Sequence, residues 1–443
     1  MKILSINNPM QLMLYQKIFL VFISMTYILF FESSFNTFVV ERFSYFGFVG
    51  NKLDLLEYLL VKALVVFVAI FLPIKVERAS HFFLLFIITF IYYPSSIVLF
   101  SIKDNWLSSG DAYSLFLCST FSLLIIIFFS KLPVLRFRQF YISRKVFDFF
   151  NLTVLVCIFF LAFKVSSNFT LVNSNELEQL NDVRNKLPIS GIGVYFYLWI
   201  ITFFIGLFFF VYEKVNIFAR IFIMFFLYFI FAFSMGAKIL LIAPLIFSFV
   251  YFWVKLFDCK FAYFILPFIV VFNFLYFIGL FSSDFAFLGN ALFTFRTLSI
   301  SSLSFALYFD YFKTVDFTYF QHLAFVHNFT NILFSLERSF IPLPVNLASS
   351  YNLGNINANF IVNDGYSSLG FPGMILISFF YSILMYVFDS LSHNINKYCL
   401  FFSLTYFGMY LGNVSLFTLL LSHGLIIAML YFLFFSRYLR EKV

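Results

Sequence analysis

Long apolar runs separated by short polar breaks make up most of the chain, and they begin near Tyr15, Leu55, His81, Tyr113, Phe149, Gly191, Arg220, Ile239, Phe261, Gly370, Leu400 and Val414. Each approaches the roughly 20 residues that an α-helix needs to cross the hydrocarbon of a bilayer. The pattern predicts an all-α integral membrane protein of about twelve transmembrane helices. Only Gly412 and Asn413 divide the last two runs, so eleven spans is the alternative count. One stretch departs from the pattern. Residues 282–369 are too polar for a series of spans, yet too rich in Phe, Leu and Tyr for a disordered linker. Phe293–Phe312 carries apolar residues at helical spacing, Phe317–Phe340 reads as one or two short helices, and Ile341-Pro-Leu-Pro-Val is a break. The expected organisation is a membrane domain over 1–281 with nine spans, a partly helical loop over 282–369, and a membrane domain over 370–443 with spans ten to twelve.

Composition sharpens this picture. Of 443 residues, 63% are hydrophobic, 24% aromatic and 11% charged, against about 25% charged in a soluble domain. Too few polar groups remain to cover a water-facing surface, which excludes a soluble enzyme, a nucleic-acid binder and a disordered scaffold. The net charge of +8 therefore reports topology. With the N-terminus placed in the cytoplasm, about 17 of the 28 Lys and Arg residues fall in short cytoplasmic segments, led by Lys131 to Lys145 and the Arg437 to Lys442 tail. Both termini are then cytoplasmic, the run after Lys2 and Lys17 is a retained first span, and the 282–369 loop faces outward. Cys118, Cys157, Cys259 and Cys399 show no metal or redox spacing.

Ionisable residues at membrane depth are costly and are the first candidates for a site. Lys238 follows Ser234-Met-Gly-Ala in a short outward turn. It reads either as a snorkelling lysine at a helix end or as a cation held at the depth of a lipid phosphate. Arg296 lies in a strongly apolar segment and needs an anion, either a ligand phosphate or a carboxylate such as Asp284 or Asp310. The outer loop concentrates Asp310, Asp316, His322, His327, Glu337, Arg338 and Asp364. His322 and His327 are five apart and bring no HExxH glutamate, so no metal site is expected. A nucleophile elbow, a P-loop and a spaced carboxylate pair are also missing. Tyr308, Tyr311, Tyr319, Tyr351 and Tyr366 would stack on sugar rings or form an interfacial belt.

From Asn355 an Asn-rich stretch passes through Asn359 and Asp364-Gly-Tyr366 to Gly370-Phe-Pro-Gly373, which opens the tenth span. This resembles the signature of bacterial oligosaccharide repeat unit polymerases, the Wzy-type O-antigen polymerases, which are related to the O-antigen ligases. Ser-Met-Gly-Ala-Lys238 resembles that family's Gly-x-Arg/Lys turn, and Arg296 followed by Tyr308-Phe-Asp310-Tyr-Phe resembles its arginine and aromatic-acidic segment. The ligases' His-Asn-x-x-Leu is not matched, because Ala358 stands before Asn359 and His327-Asn328 lacks the leucine spacing.

The resemblance implies a GT-C-like membrane glycosyltransferase of the bacterial inner membrane, acting at the periplasmic face in lipopolysaccharide biosynthesis. Its substrates would be undecaprenyl-pyrophosphate-linked oligosaccharides, with membrane lipid around it, a chain-length regulator as an optional partner, and no nucleic acid, metal or cofactor. Asp364, His327 and Asp310 are the implied catalytic candidates. Lys238, Arg296, Asn359, Arg338 and Tyr366 are the implied substrate-binding residues, with Lys238 and Arg296 expected on one pyrophosphate. An O-antigen ligase or other lipid-linked glycan transferase, and a lipid-linked oligosaccharide flippase, are the alternatives.

Overall fold

The computed structural model describes residues 9–136, 140, 142–167, 192–212, 215–235, 239–279, 283–334, 342–353 and 358–440. The protein is all-α, and the described residues contain no strand, only the isolated bridges Phe48–Ile102 and Lys75–Lys260. In chain order the helices are α1 (Met10–Val40), α2 (Leu55–Phe71), α3 (Ala79–Ser101), α4 (Ser109–Ser130), α5 (Arg144–Ser166), α6 (Gly193–Val211), α7 (Ile217–Met235), α8 (Ile239–Phe257), α9 (Phe261–Gly279), α10 (Ala286–Tyr311), α11 (Ala324–Phe334), α12 (Leu343–Tyr351), α13 (Ile361–Ser392), α14 (Lys397–Tyr410), α15 (Leu416–Leu421) and α16 (Leu425–Phe435). Nine of them, α1, α3, α4, α5, α6, α7, α9, α10 and α13, are long and apolar enough to cross a membrane among the described residues. The runs expected as spans from Leu55, Leu400 and Val414 form shorter helices, and α8, the run expected from Ile239, is likewise outside the nine. The run from Val414 is broken twice, before α15 and again at Gly424 (φ 83°).

Polar residues start several helices where the apolar runs begin. Asp54 caps α2 through a reciprocal pair, Glu57 N to Asp54 Oδ1 at 2.7 Å and Asp54 N to Glu57 Oε2 at 3.2 Å. Ser108 and Ser143 cap α4 and α5. The central column is α3, buried along its whole apolar window. Its start is itself buried and takes a cap from across the bundle, with Ser80 N and Oγ donating to Asp389 at 2.8 and 2.5 Å.

The contacts define two opposite ends of the bundle. At one, Lys17 Nζ donates to Ile70 O at 2.9 Å, Lys75 pairs with Asp258 at 2.5 Å, and Arg78 donates to Ser130 O and Leu132 O at 3.2 and 2.6 Å. This is the basic end expected to be cytoplasmic. The hydrogen bond to Asp258 holds the exposed Lys75 ammonium above its ordinary range. At the other end, Lys52 pairs with Asp104 at 2.7 Å, Lys313 with Asp111 at 3.4 Å, and Trp106 packs edge-on to Tyr351 with ring centres 5.3 Å apart.

Two elements differ from the sequence expectation. The segment expected as an outer loop from 282 begins with α10, which is largely buried in the bundle. Its start lies beside the end of α1, since a Cβ on Gly279 would meet Phe38 Cζ at 3.0 Å and Ala286 Cβ at 3.5 Å. Beyond its end, Lys313 reaches Asp111. Both ends therefore sit at the same end of the bundle. Between them Ser301 Oγ donates to Phe90 O, midway along α3, at 2.7 Å. A straight helix of this length would be about 39 Å long; α10 is instead bowed through the π-helical stretch Ala291–Ser299. The helical spacing of Phe293–Phe312 is matched by this helix, whose Ser and Thr hydroxyls bond back to the backbone, as Thr297 does to Leu292 O at 2.7 Å and Ser299 to Thr294 O at 2.8 Å.

The second difference is in α13, which is a hairpin. The chain breaks at Leu369 (φ −145°, ψ 17°) and Gly370 (φ 67°, ψ −143°), a conformation that strains any residue with a Cβ. A re-entrant limb, 361–368, rises to this break, and the limb 371–392 descends beside it. Gly365 and Gly373 make the close crossing, because a Cβ on Gly365 would fall 2.8 Å from Met374 Cα.

Replacing Gly365 or Gly373 by Val should therefore force the limbs apart and cost about 1–3 kcal/mol. Purified variants should show a thermal midpoint lowered by several degrees, while Gly110→Ala, which meets nothing within 4 Å, should not. Unchanged midpoints for both crossing variants would refute the hairpin.

Candidate functional site

A re-entrant helix leaves its terminal backbone groups inside the protein, where each needs a partner. Asn359 begins the limb. Its Oδ1 accepts from Ile361 N and Val362 N at 3.1 and 3.3 Å, and its Nδ2 donates to Ser301 O of α10 at 3.2 Å. The opposite end is closed by the turn that follows α10. Thr318 N donates to Ser367 O at 2.8 Å, Thr318 Oγ1 donates to the same oxygen at 3.0 Å, and Tyr319 N donates to Ser368 O at 3.2 Å. Two consecutive residues of this turn, Tyr319 (φ 48°) and Phe320 (φ 65°), adopt left-handed conformations that residues with side chains seldom occupy. Such strain persists only where surrounding contacts hold it.

Capping the limb brings His322 over Asp364. The Asp364 carboxylate is fully buried; Oδ2 accepts from Leu416 N, the first residue of α15, at 2.5 Å, and Oδ1 accepts from Asn363 Nδ2 at 3.0 Å. The Asn363 amide is oriented by Tyr308 of α10, whose buried hydroxyl donates to Asn363 Oδ1 at 2.9 Å. Above this chain, His322 Nε2 stands 3.8 Å from Asp364 Oδ1, with the imidazole side chain 5% exposed. The other ring nitrogen, Nδ1, lies 2.7 Å from Thr318 Oγ1. Thr318 has one hydroxyl hydrogen, and both Ser367 O and His322 Nδ1 lie within its reach. His322 Nε2 is buried and has no hydrogen-bond partner. An imidazole nitrogen thus faces a carboxylate across a gap too long for a direct hydrogen bond.

The other expected site residues are distributed around this pair. His327, on α11, has its Nε2 3.0 Å from Asn331 Nδ2 on the next turn; the histidine that meets Asp364 is His322. Asp310 accepts from Tyr351 OH at 2.8 Å. Burial, and then that hydrogen bond, push the Tyr351 phenol well above its ordinary range and keep it a donor. Tyr366 is buried among Phe309, Phe317 and Phe371, with ring centres 5.6 to 5.9 Å away. Arg296 is exposed and makes no ion pair with Asp310 or any other described residue. It lies twelve positions before Tyr308 on α10, about 18 Å along the helix axis, so it does not share the immediate surroundings of Asp364. Lys238 and Arg338 lie outside the described residues. No group of three or more His, Cys, Asp or Glu that would hold a metal occurs among the described residues.

Sequence reasoning singled out Asp364 and missed its partners. The polar cluster Asn363-Asp364 within apolar sequence was a visible signal, and so was the i, i+4 spacing of Thr318 and His322. Nothing local announced that a turn 42 residues earlier would cap the limb. The fold and site define a polytopic α-helical membrane protein with a buried His–Asp pair on a re-entrant hairpin. No protein-family model, curated protein or solved structure matches the chain.

The Thr318–His322 contact is directly measurable. With histidine labelled in both ring nitrogens, the His322 signal, assigned by its loss in His322→Gln, should shift at Nδ1 on Thr318→Val in solid-state NMR. An Nδ1 resonance unmoved by that substitution would overturn the contact.

Proposed function

We propose that the protein polymerises undecaprenyl-pyrophosphate-linked oligosaccharide repeat units at the periplasmic face of the bacterial inner membrane. The observation that carries this reading is the unpartnered Nε2 of His322 beside Asp364; the resemblance of the segment from Asn355 to Gly373 and of the Arg296 to Phe312 segment to Wzy-type polymerases supplies the substrate class. The reaction needs a base and stabilisation of a leaving pyrophosphate, and the leaving group is already activated. His322 Nε2 takes the proton of the acceptor sugar hydroxyl as its oxygen attacks the anomeric carbon of the donor chain. The bond from that carbon to the polyprenyl pyrophosphate breaks, and the pyrophosphate leaves with the electron pair. Asp364 steadies the imidazolium formed, and Tyr308 and Asn363 hold Asp364 in place.

The separation between Arg296 and Asp364 suits a long substrate. An acceptor unit carries its own lipid pyrophosphate a few sugar rings away from the hydroxyl that reacts. Arg296, exposed at the start of α10, is assigned to that distant pyrophosphate as a bidentate anchor. This replaces the expectation that Arg296 serves the pyrophosphate that leaves.

A proton-coupled carrier is the second reading, favoured by the same buried pair and by the helix breaks at Leu369–Gly370 and on either side of α15. The two differ in vitro. A polymerase extends lipid-linked units in detergent without any gradient; a carrier moves them only across sealed vesicles.

In a detergent extension assay, His322→Ala and Asp364→Asn should lower the rate by about 10²–10⁴-fold. Arg296→Ala should raise the acceptor KM with a smaller effect on kcat, and Arg296→Lys should recover part of the loss. The Arg296 and His322 losses should multiply, because the two groups act on separate parts of the substrate. Full chain extension by His322→Ala, with the protein folded, would refute the assignment.

A further inference from the structure

The helix that follows the His322 turn, α11, is Ala-Phe-Val-His-Asn-Phe-Thr-Asn-Ile-Leu-Phe, without a single Asp, Glu, Lys or Arg. It is anchored at its start, where His327 N donates to Leu323 O at 2.9 Å and Leu323 N to Phe320 O at 3.1 Å. Its polar side turns inward. His327 is 8% exposed and meets Asn331, and Thr330 Oγ1 donates to His327 O at 2.9 Å. Its outward side carries Phe329, Ile332 and Leu333, 64%, 81% and 60% exposed, with Asn328 as the polar residue exposed beside them. Those three positions fall within one arc at helical spacing. Among the described elements, the extensive helix–helix contacts of the bundle do not include α11.

Such a surface is unfavourable in water, and the level at which α11 sits indicates what covers it. The turn before it lies in a belt of the kind that marks a membrane–water boundary. Lys103 Nζ stands 3.5 Å from the ring centre of Trp106, Trp106 packs on Tyr351, Lys313 pairs with Asp111, and Tyr319 is 64% exposed. At 11 residues α11 spans about 16 Å and is too short to cross a bilayer. The lipid-facing surface of the neighbouring spans would continue along an in-plane helix at this height.

We propose that α11 lies in the plane of the membrane with Phe329, Ile332 and Leu333 inserted among the acyl chains of the adjacent lipid leaflet. The leaflet then fixes the height of the Thr318–Leu323 turn, and with it the position of His322 over the hairpin. This inference is independent of the reaction assigned to the protein, since it concerns only where α11 lies.

The test places single cysteines on the full-length chain in lipid nanodiscs of phosphatidylethanolamine and phosphatidylglycerol, with Cys118, Cys157, Cys259 and Cys399 replaced by Ala. Nitroxides at Phe329, Ile332 and Leu333 should relax several-fold more with oxygen than with a water-soluble nickel chelate, and one at the exposed Gln321 should show the reverse. Greater access to nickel at Ile332 would overturn the proposal in favour of a solvated helix. Low access to both reagents would overturn it in favour of cover by protein, whether a second copy or another partner. Because removal of buried Cys259 and Cys399 risks misfolding, a photoreactive diazirine phenylalanine at Ile332 in the otherwise unmodified chain gives a second measurement. Crosslinks to phospholipid are expected; crosslinks confined to protein would refute the insertion.

Discussion

The interaction on which the rest of the site depends is the cap that the Thr318 turn places on the re-entrant limb of α13. Away from water, an uncapped helix end costs the full desolvation of its orphaned carbonyls. Three donors from the turn meet Ser367 O and Ser368 O. The same contacts fix the height of the turn, hold Tyr319 and Phe320 in left-handed backbone, and place Thr318 Oγ1 against His322 Nδ1. A requirement of the backbone thus positions a side chain. The other breaks near the site are handled similarly: Asn359 closes the start of the limb, and Asp364 accepts from the free N–H at the start of α15. Asp364 is at once a capping residue and half of the polar pair, so the fold could not be completed here without assembling the site.

The apolar interior makes this arrangement affordable by packing rather than by polar contacts. Aromatic rings fill it in tilted and edge-on contacts, as Tyr27 does against Tyr93, Phe268 and Phe272. Serine and threonine hydroxyls inside helices return their hydrogens to backbone carbonyls one turn earlier, as in Ser378 to Met374 O and Ser382 to Ser378 O. Such residues read as polar in a hydropathy profile and behave as small, satisfied side chains in the bundle. That difference explains α10, whose Ser299-Ile-Ser-Ser-Leu-Ser304 stretch resembles loop sequence and is wholly or largely buried.

The apolar runs were legible because a helix must supply its own backbone bonds in lipid, and length alone then nominates a span. The membrane class, the all-α character and the places of most long helices follow from that rule. Hydropathy is blind to direction, so it could not distinguish a helix that crosses from a bowed one with both ends at the same end of the bundle, as in α10, or from a hairpin folded at Gly370. Asp364 stood out as an acid among apolar residues. His322 did not, because its importance comes from a tertiary cap. Asn359 looked like a ligand residue, yet all its polar groups serve the limb and α10.

Arg296 shows what burial and pairing can decide between two meanings of a charge. A guanidinium serving the fold of a membrane protein finds a carboxylate or carbonyls, as Arg78 does with Ser130 O and Leu132 O. Arg296 is exposed beside the Phe43–Phe295 stack, whose rings lie 4.0 Å apart, and bonds to no described group. Asp310, on the same helix, is engaged by Tyr351 instead. Holding that helix in the bundle therefore does not require the charge of Arg296. The helix that presents Arg296 at the surface also presents Tyr308 to the Asp364 network. One element thus carries both a charge that the described fold does not pair and a support of the buried His322–Asp364 pair, twelve residues apart.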